Sequence, residues 1–430
     1  MNEVRVTVAD VSAFKRQALA WATAQETPQS GFITLLNNNF IAYPHDPFPN
    51  RLFVGAKRVI SLVDSDPFQA LHDAHRARPS YLVGYLGYDL KNQLEDLTSR
   101  HPNRLGFPDT YFVEPEWILD FVDNDVIIQG EGDVNRVVEE VRNYPHCPVG
   151  KGGKTHIIQC RVTPEEYMAR VRQIKQHIVA GDVYELNYCI EFLVENAVLD
   201  PLATYDALNT RSPMPFSSFL KLGNRYVIGA SPERFMRKQG RTLLSQPIKG
   251  TIRRSKDPVE DAALRARLRN SEKERAENLM IVDLVRNDLA RSAETGSVRV
   301  DELFGIYGFE QVYQMISTVS AVLREDLSWT DALRNAFPMG SMTGAPKIRA
   351  MQLIDELEVS RRGVYSGAIG FVTPDGDFDF NVVIRSLLYN AECQYASFSV
   401  GSAITYDADP AQEWEECLLK ARAIREVLAG

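Results

Sequence analysis

The chain has 430 residues, 44% of them hydrophobic and 24% charged, with a formal net charge of −9. That balance excludes a disordered chain, and no apolar run approaches the ~18 residues that span a bilayer. No basic stripe offsets the acidic total, which speaks against nucleic-acid binding, and the N-terminus lacks the basic-then-apolar order of a signal peptide, so a cytoplasmic globular protein is expected.

Residues 1–141 mix short alternating strands, among them Tyr81–Tyr88 and Trp117–Phe121, with a helical stretch over Asp133–Asn143. The run from Tyr144 to Lys154 is rich in proline, glycine and lysine and reads as an exposed connector, which places a boundary at 142–156 and a second unit at 157–430. Thr163, Pro164, Glu165 and Glu166 supply the N-cap, the first-turn proline and the acids of a helix running to Gly181. Farther on, Glu233–Arg237 and Thr242–Ile248 flank the turn Lys238–Arg241, a hairpin that sets Glu233 opposite about Gln246 and Lys249 roughly 10 Å of strand beyond. Ser271–Glu274 forms a capping box before a helix that is mostly apolar from Leu279 to Leu289, hence expected to be buried, with Glu277 one turn in. Asp409 and Pro410 open a last helix on which Glu413, Glu416 and Lys420 share a face. Strands with turn signals such as Thr373–Asp377 interleave with helices, so the class is α+β or a mixed-sheet fold.

All seven histidines lie in the first 177 residues, which removes Ser-His-Asp logic and most zinc chemistry from any site in the later half. The five cysteines are scattered and form no C-x-x-C pair. Lys249 places an amine between Pro247, which ends a strand, and Gly250, which admits a ligand closely. Alone it reads as a surface lysine. Beside Glu233, Glu277, Glu413 and Glu416 it suggests metal-assisted displacement on an anionic substrate, because a carboxylate buried as Glu277 would be needs a proton, a cation or a metal. Glu413, Glu416 and Lys420 read equally well as a solvated helix face. Gly340–Lys347 reads either as an anion cradle at a helix N-terminus or as a tight turn and cap, and Gly401–Ala403 as a bend. Arg385 interrupts an apolar strand, and an arginine there should meet an acid of the protein or of a ligand.

Together these pieces resemble the chorismate-utilising enzymes, through GDVYELN, SPERF, PIKGT, AENLMIVDLVRNDL, GSMTGAPK, YSGAIG, the Ile384–Arg385 pair and EWEECLLKAR, in order from Gly181 to Lys420. GYLGYD, Gly84 to Asp89, extends a looser similarity toward the N-terminus. The resemblance implies the family's α+β fold, a large mixed, mainly antiparallel sandwich with surrounding helices, its sheets interleaved between the N-terminal part and the rest. It implies that Lys249 is a nucleophile and Glu233 the general acid. Glu277 and Glu416 would hold Mg²⁺ on the ring carboxylate of chorismate, with Glu413 assisting through water. Tyr365, Arg385 and the backbone of Gly401 and Ser402 would bind the enolpyruvyl carboxylate, Thr343 would line the pocket, and Lys420 would help with the ring carboxylate.

Within that family a lysine in PIKGT marks the branch that makes 4-amino-4-deoxychorismate for p-aminobenzoate and folate biosynthesis, whereas the anthranilate-forming branch carries alanine. Isochorismate- and salicylate-forming members place a water-activating lysine where this chain has Glu185. The implied chemistry is attack of neutral Lys249 on ring carbon C2 while Glu233 protonates the C4 hydroxyl, followed by ammonia at C4. An ordinary lysine must then come down from about 10.4 to about 7–8, about 4 kcal/mol, which burial and Mg²⁺ are expected to supply. No G-x-C-x-G glutaminase motif is present, so ammonia is expected from solution or from a separate glutamine amidotransferase subunit. Three positions depart from the family pattern. Gln314 stands where many relatives have a histidine and so removes any proton shuttle there; a non-catalytic homologue is the alternative it supports. Ala403 replaces the second glycine of a GAG run and narrows the pocket, and Leu35-Leu36-Asn37-Asn38 stands where tryptophan-regulated relatives have Leu-Leu-Glu-Ser, so no tryptophan feedback is expected.

Overall fold

The computed structural model describes residues 2–25, 31–60, 66–145, 155–310 and 312–430, so positions 146–154 of the expected connector lie outside the described residues. The capping signals set the helices. Thr163 and Glu166 close a full capping box on Pro164–Val179, and the Asp409 side chain accepts from Ala411 and Gln412 at the head of Pro410–Ala429. At Glu272–Ala290 only half of the expected box forms: the Ser271 side chain accepts from the Glu274 amide, but the Ser271 amide is taken by Leu268, which leaves the Glu274 carboxyl free to turn elsewhere. This helix is not buried all round. Ile281, Val282, Val285 and Leu289 face inward at helical spacing, whereas Leu279 is exposed.

Two large sheets stack face to face in the expected α+β sandwich, and every strand pairing among the described residues is antiparallel, where mainly antiparallel pairing was expected. Strands from both sides of the 142–156 segment share each sheet. Phe32–Asn37 pairs with Phe216–Leu222 in the 12-stranded sheet, and Leu82–Leu86 pairs with Ala368–Val372 in the 10-stranded one. Alternation then sorts the side chains: Phe32 and Leu36 join Tyr85, Phe112 and Phe380 in the core between the sheets, while Ile33 and Leu35 point to the opposite face. That opposite face is covered by Val11–Thr23, Val134–Asn143, Pro164–Val179, Pro201–Arg211, Lys347–Leu357 and Pro410–Ala429. No helix among the described residues is long and apolar enough to cross a membrane.

Two neighbouring strands pass together from one sheet to the other, and their corners build the site. Arg225–Ser231 in the larger sheet continues through Pro232 and Glu233 into Arg234–Gln239 of the smaller. Its partner Phe378–Asn381 in the smaller sheet continues through residues 382–385 into Ser386–Asn390 of the larger. The corners are stitched together: the Val382 amide donates to the Glu233 carbonyl at 3.0 Å, the Ser231 hydroxyl to the Val382 carbonyl at 2.6 Å, and the Ala230 amide to the Arg385 carbonyl at 3.1 Å. Arg385 therefore interrupts an apolar run because the chain changes sheets there, with a left-handed φ of 51°.

Candidate active site

The expected hairpin forms with Gln239 opposite Thr242, but an irregularity between Arg234 and Arg237 puts Arg234, not Glu233, opposite Gln246. Glu233 is thereby left on the corner, 6% exposed. Burial pushes its carboxyl up to about 7, against the lowering influence of the Ser341 hydroxyl and of the Lys249 and Lys420 ammonium groups.

Lys249 lies on Ile248–Arg253, along the edge of the smaller sheet. Its Nζ is 3.5 Å from Oε1 of Glu185, the first residue of Glu185–Val194 in the other sheet. Burial pulls the ammonium down, but Glu185, Glu277, Glu416 and Glu233 outweigh it and raise Lys249 above the ordinary lysine range. The expectation that burial would lower it is therefore reversed in the protein by itself, where four carboxylates hold the proton on. Gly250 also has a different role from the one expected. It takes a φ of +88°, and an added Cβ would lie 3.0 Å from Glu274 Oε2 and 3.2 Å from Leu268, so its bareness serves the turn and the packing of Glu272–Ala290 rather than ligand approach.

Glu277 comes from that helix, and Glu413, Glu416 and Lys420 from Pro410–Ala429. Burial first, then the Glu274 and Glu416 charges, push Glu277 up to about 7, with Lys249 and Lys273 opposing. Glu413 is buried and meets Lys273 at 3.4 Å, and Lys273 also reaches Glu277 at 3.7 Å. The solvated-face reading thus fails for Glu413. Glu416 pairs with Lys420 at 2.7 Å; burial alone would raise its carboxyl, but Lys420, Lys249 and Lys273 hold it below the usual carboxylate range. Lys420 also donates to the Gly401 carbonyl at 2.8 Å.

Arg385 completes the ring of charge. Its guanidinium is half-buried, burial lowers its pKa against the pull of Glu416 and Tyr365, and it donates to no protein acceptor among the described residues. Its charge is therefore answered only at longer range, by Glu416. Tyr365 is buried, with its hydroxyl 3.5 Å from Cys189 Sγ. Thr343 is fully buried and its hydroxyl donates to Met339 and Gly340 carbonyls. The Ser402 hydroxyl is taken by Tyr167 at 2.9 Å in the helix-covered core, and its backbone lies opposite Tyr188 in the larger sheet. Gly340–Lys347 is not an anion cradle: Gly344–Ala345 bridges to Glu185–Leu186, and Lys347 at the helix head is bound to Asp288 at 2.6 Å. A cavity of about 160 Å³ lies between the segments 101–107 and 359–364, and none of the candidate residues line it.

The model of the chorismate binding enzymes matches residues 20–426. This chain is a member of that family. It is 36% identical to aminodeoxychorismate synthase component 1 of Escherichia coli over 84% of this chain and 83% of that one. It is 35% identical to anthranilate synthase component 1 of Thermus thermophilus over 86% and 87%. An aminodeoxychorismate synthase of Streptomyces griseus is 41% identical over 80% of this chain, and the chain spans only 50% of that relative's length. Anthranilate synthase component I from Streptococcus pneumoniae shares the fold at a TM-score of 0.76 and 27% identity, over 99% of this chain and 100% of that one.

For a chorismate-binding enzyme the question is whether these residues suit the magnesium that the family resemblance implies. Glu277 and Glu416 offer only oxygen donors, and Glu277 is a half-buried carboxyl that burial and the Glu274 and Glu416 charges push up despite Lys249 and Lys273. No three acidic, histidine or cysteine side chains among the described residues are gathered as a coordination group. A site of one or two carboxylates completed by water and substrate is the habit of Mg²⁺, so the donor set fits. Sequence reading left Glu185, Lys273, Glu274 and Ser341 out of the site. Only Glu185 carried a signal, as an acidic residue at a position that another branch of the family fills with lysine.

Glu233 yields a prediction with a definite sign. Its folded pKa of about 7 lies above the ordinary glutamate value of 4.5. The stability tied to it is full below the lower value and is lost as pH rises through the higher. Glu233→Gln should therefore gain on the parent in denaturation midpoint between about pH 5 and pH 8, while kcat falls by about 10²–10⁴-fold through loss of the acid. A midpoint difference independent of pH would contradict the assignment.

Proposed function

We propose that this chain converts chorismate and ammonia to 4-amino-4-deoxychorismate, the step that leads toward p-aminobenzoate and folate. The reading is carried by Lys249, an amine where the anthranilate-forming branch has alanine, held 3.5 Å from Glu185 with Glu233 poised as an acid nearby. The neutral Lys249 amine bonds to C2 of the ring. The ring double bond shifts and the C4–O bond breaks, and the Glu233 proton leaves with that oxygen as water. Ammonia then bonds to C4, the double bond returns, and the C2–N bond breaks with its electrons going back to Lys249. The C4 ammonium group restores the proton to Glu233.

Glu277 and Glu416 would hold Mg²⁺, with Glu413 and Lys273 setting their orientation. When bound, the ion neutralises carboxylates that otherwise keep Lys249 protonated and fixes the ring carboxylate. Arg385, unpaired in the protein, would receive the enolpyruvyl carboxylate beside Tyr365 and the backbone at Gly401 and Ser402, and Lys420 would serve the ring carboxylate. Thr343, its hydroxyl already bonded to the Met339 and Gly340 carbonyls, would line the pocket. Residues 1–141 and 157–430 would act as one interleaved unit in the cytoplasm. Relatives called component 1 support a separate glutamine amidotransferase subunit as the ammonia source.

The test is product analysis by liquid chromatography and mass spectrometry with chorismate, MgCl₂ and ammonium, with and without chelator. Expected is a metal-dependent product that keeps the enolpyruvyl group. Fluorescent anthranilate with released pyruvate would assign the chain to the other branch, and chorismate binding without turnover would assign it as a non-catalytic homologue.

A further inference from the structure

Lys249 rests as an ammonium, yet it must attack as an amine, so some group has to remove its proton without losing it to solvent. Four carboxylates surround it, those of Glu185, Glu277, Glu416 and Glu233. Glu233 is needed in its protonated form when the hydroxyl departs, and Glu277 and Glu416 are the pair suited to the cation. Glu185 alone reaches the amine: Oε1 is 3.5 Å from Nζ, and among the described residues Nζ has no other hydrogen-bond partner. The Glu185 side chain is 1% exposed, and its second oxygen, Oε2, is buried with no partner. A carboxyl so enclosed, with one oxygen toward the amine and the other unmatched, exchanges protons with Lys249 rather than with bulk water.

The backbone under Glu185 is clamped as well. Glu185 pairs with Ala345, the Tyr184 amide donates to the Ala345 carbonyl at 2.7 Å, and Gly344 approaches so closely that an added Cβ would lie 2.2 Å from the Glu185 carbonyl oxygen. The carboxyl is thus held at a fixed height beside the amine, as proton transfer requires.

We propose that Glu185 takes the proton from Lys249 before attack and returns it after the lysine is expelled, acting as a captive base. Glu185 carboxylate and Lys249 ammonium become carboxylic acid and amine. The amine bonds to C2, leaves again with its electrons when ammonia bonds to C4, and recovers its proton from Glu185. Nothing is lost to solvent in the cycle. This rests on the reaction proposed above.

Glu185→Gln keeps the shape and an oxygen toward Nζ but cannot accept the proton. At pH 7 its kcat should fall by about 10²–10⁴-fold, with KM for chorismate little changed. Between about pH 7 and pH 9 the ratio of its kcat to that of the parent should climb with pH as solvent takes over deprotonation, the ionisation of Glu233 lowering both alike. Quenching with chorismate in the absence of ammonia should show the Lys249 adduct forming more slowly in the variant. An unchanged kcat and pH profile, or a rise in KM alone, would make Glu185 a mere counter-ion and overturn the inference. Should Glu185→Gln fail to fold, Glu185→Asp carries the test: a lower kcat at unchanged KM supports the shuttle, and a changed KM at unchanged kcat overturns it. The parent measured alongside separates the two failures. If the parent gives neither adduct nor aminated product, the reaction itself is wrong and the shuttle falls with it; if the parent gives both and Glu185→Gln matches it, only the shuttle is wrong.

Discussion

Lys249→Ala is expected to abolish the covalent adduct with chorismate and to lower kcat at limiting ammonia by at least about 10²-fold, as loss of a nucleophile requires. The fold should survive, but with a pH signature. Removing the ammonium leaves Glu185, 1% exposed, and Glu277, pushed up to about 7, without their main cation. Glu277 takes up its proton in acid and misses Lys249 only when ionised, so the stability lost relative to the parent should be small near pH 5 and grow toward pH 8. Lys249→Arg is the control. It keeps the positive charge against the carboxylates, so its stability should follow the parent more closely, yet a guanidinium does not give up its proton and the variant should be as inactive as alanine. Excess ammonium should restore part of the Lys249→Ala rate, since free ammonia can attack directly. An alanine variant with undiminished rate under limiting ammonia would remove Lys249 from the mechanism, whatever its neighbours.

The parts of this site that were legible beforehand are those written locally. Thr163, Asp409 and the turn at Lys238–Arg241 act within a few residues of themselves, and each cap and turn appears where its residue types place it. Ser271 shows the limit of such signals. The half of its box that depends on Glu274 is lost because that carboxyl lies near Gly250 and the acidic cluster, a tertiary demand. Arg385 shows a second limit: a charge inside an apolar run called for an acid of the protein or of a ligand, but gave no sign that the run breaks there to change sheets. The Lys249–Glu185 contact joins positions 64 residues apart with no periodicity to announce it. The direction of the Lys249 shift was misjudged for the same reason, because it is a sum over carboxylates from four segments that only the folded chain brings together.

The second large effect belongs to the corner that presents Glu233. Asp379→Ala should destabilise the protein by about 3–5 kcal/mol, because it leaves a buried guanidinium unpaired. Arg234, whose side chain is 0% exposed, is gripped through Nε and Nη2 by the two Asp379 oxygens at 2.9 Å each. It also donates to Gln246 at 2.7 Å and to the His45 and Asp46 carbonyls, and it lies over the Phe216 ring at 5.1 Å. Arginine cannot shed its charge as a buried lysine can, so no protonation change relieves the loss. The pair also carries a cost. Burial pushes Asp379 up despite Arg234, so desolvation offsets much of what the ion pair contributes. Asp379→Leu combined with Arg234→Met should therefore lie nearer the parent than Asp379→Ala alone, in urea midpoints measured at one pH. The single variant should also lose kcat, because Arg234 follows Glu233 directly and Asp379 sits on the partner strand that turns the same corner, so a relaxed pair lets the acid drift from the departing oxygen. A single variant within about 1 kcal/mol of the parent would show that the His45, Asp46 and Gln246 oxygens can hold the guanidinium unaided, since surface-like losses are of that size.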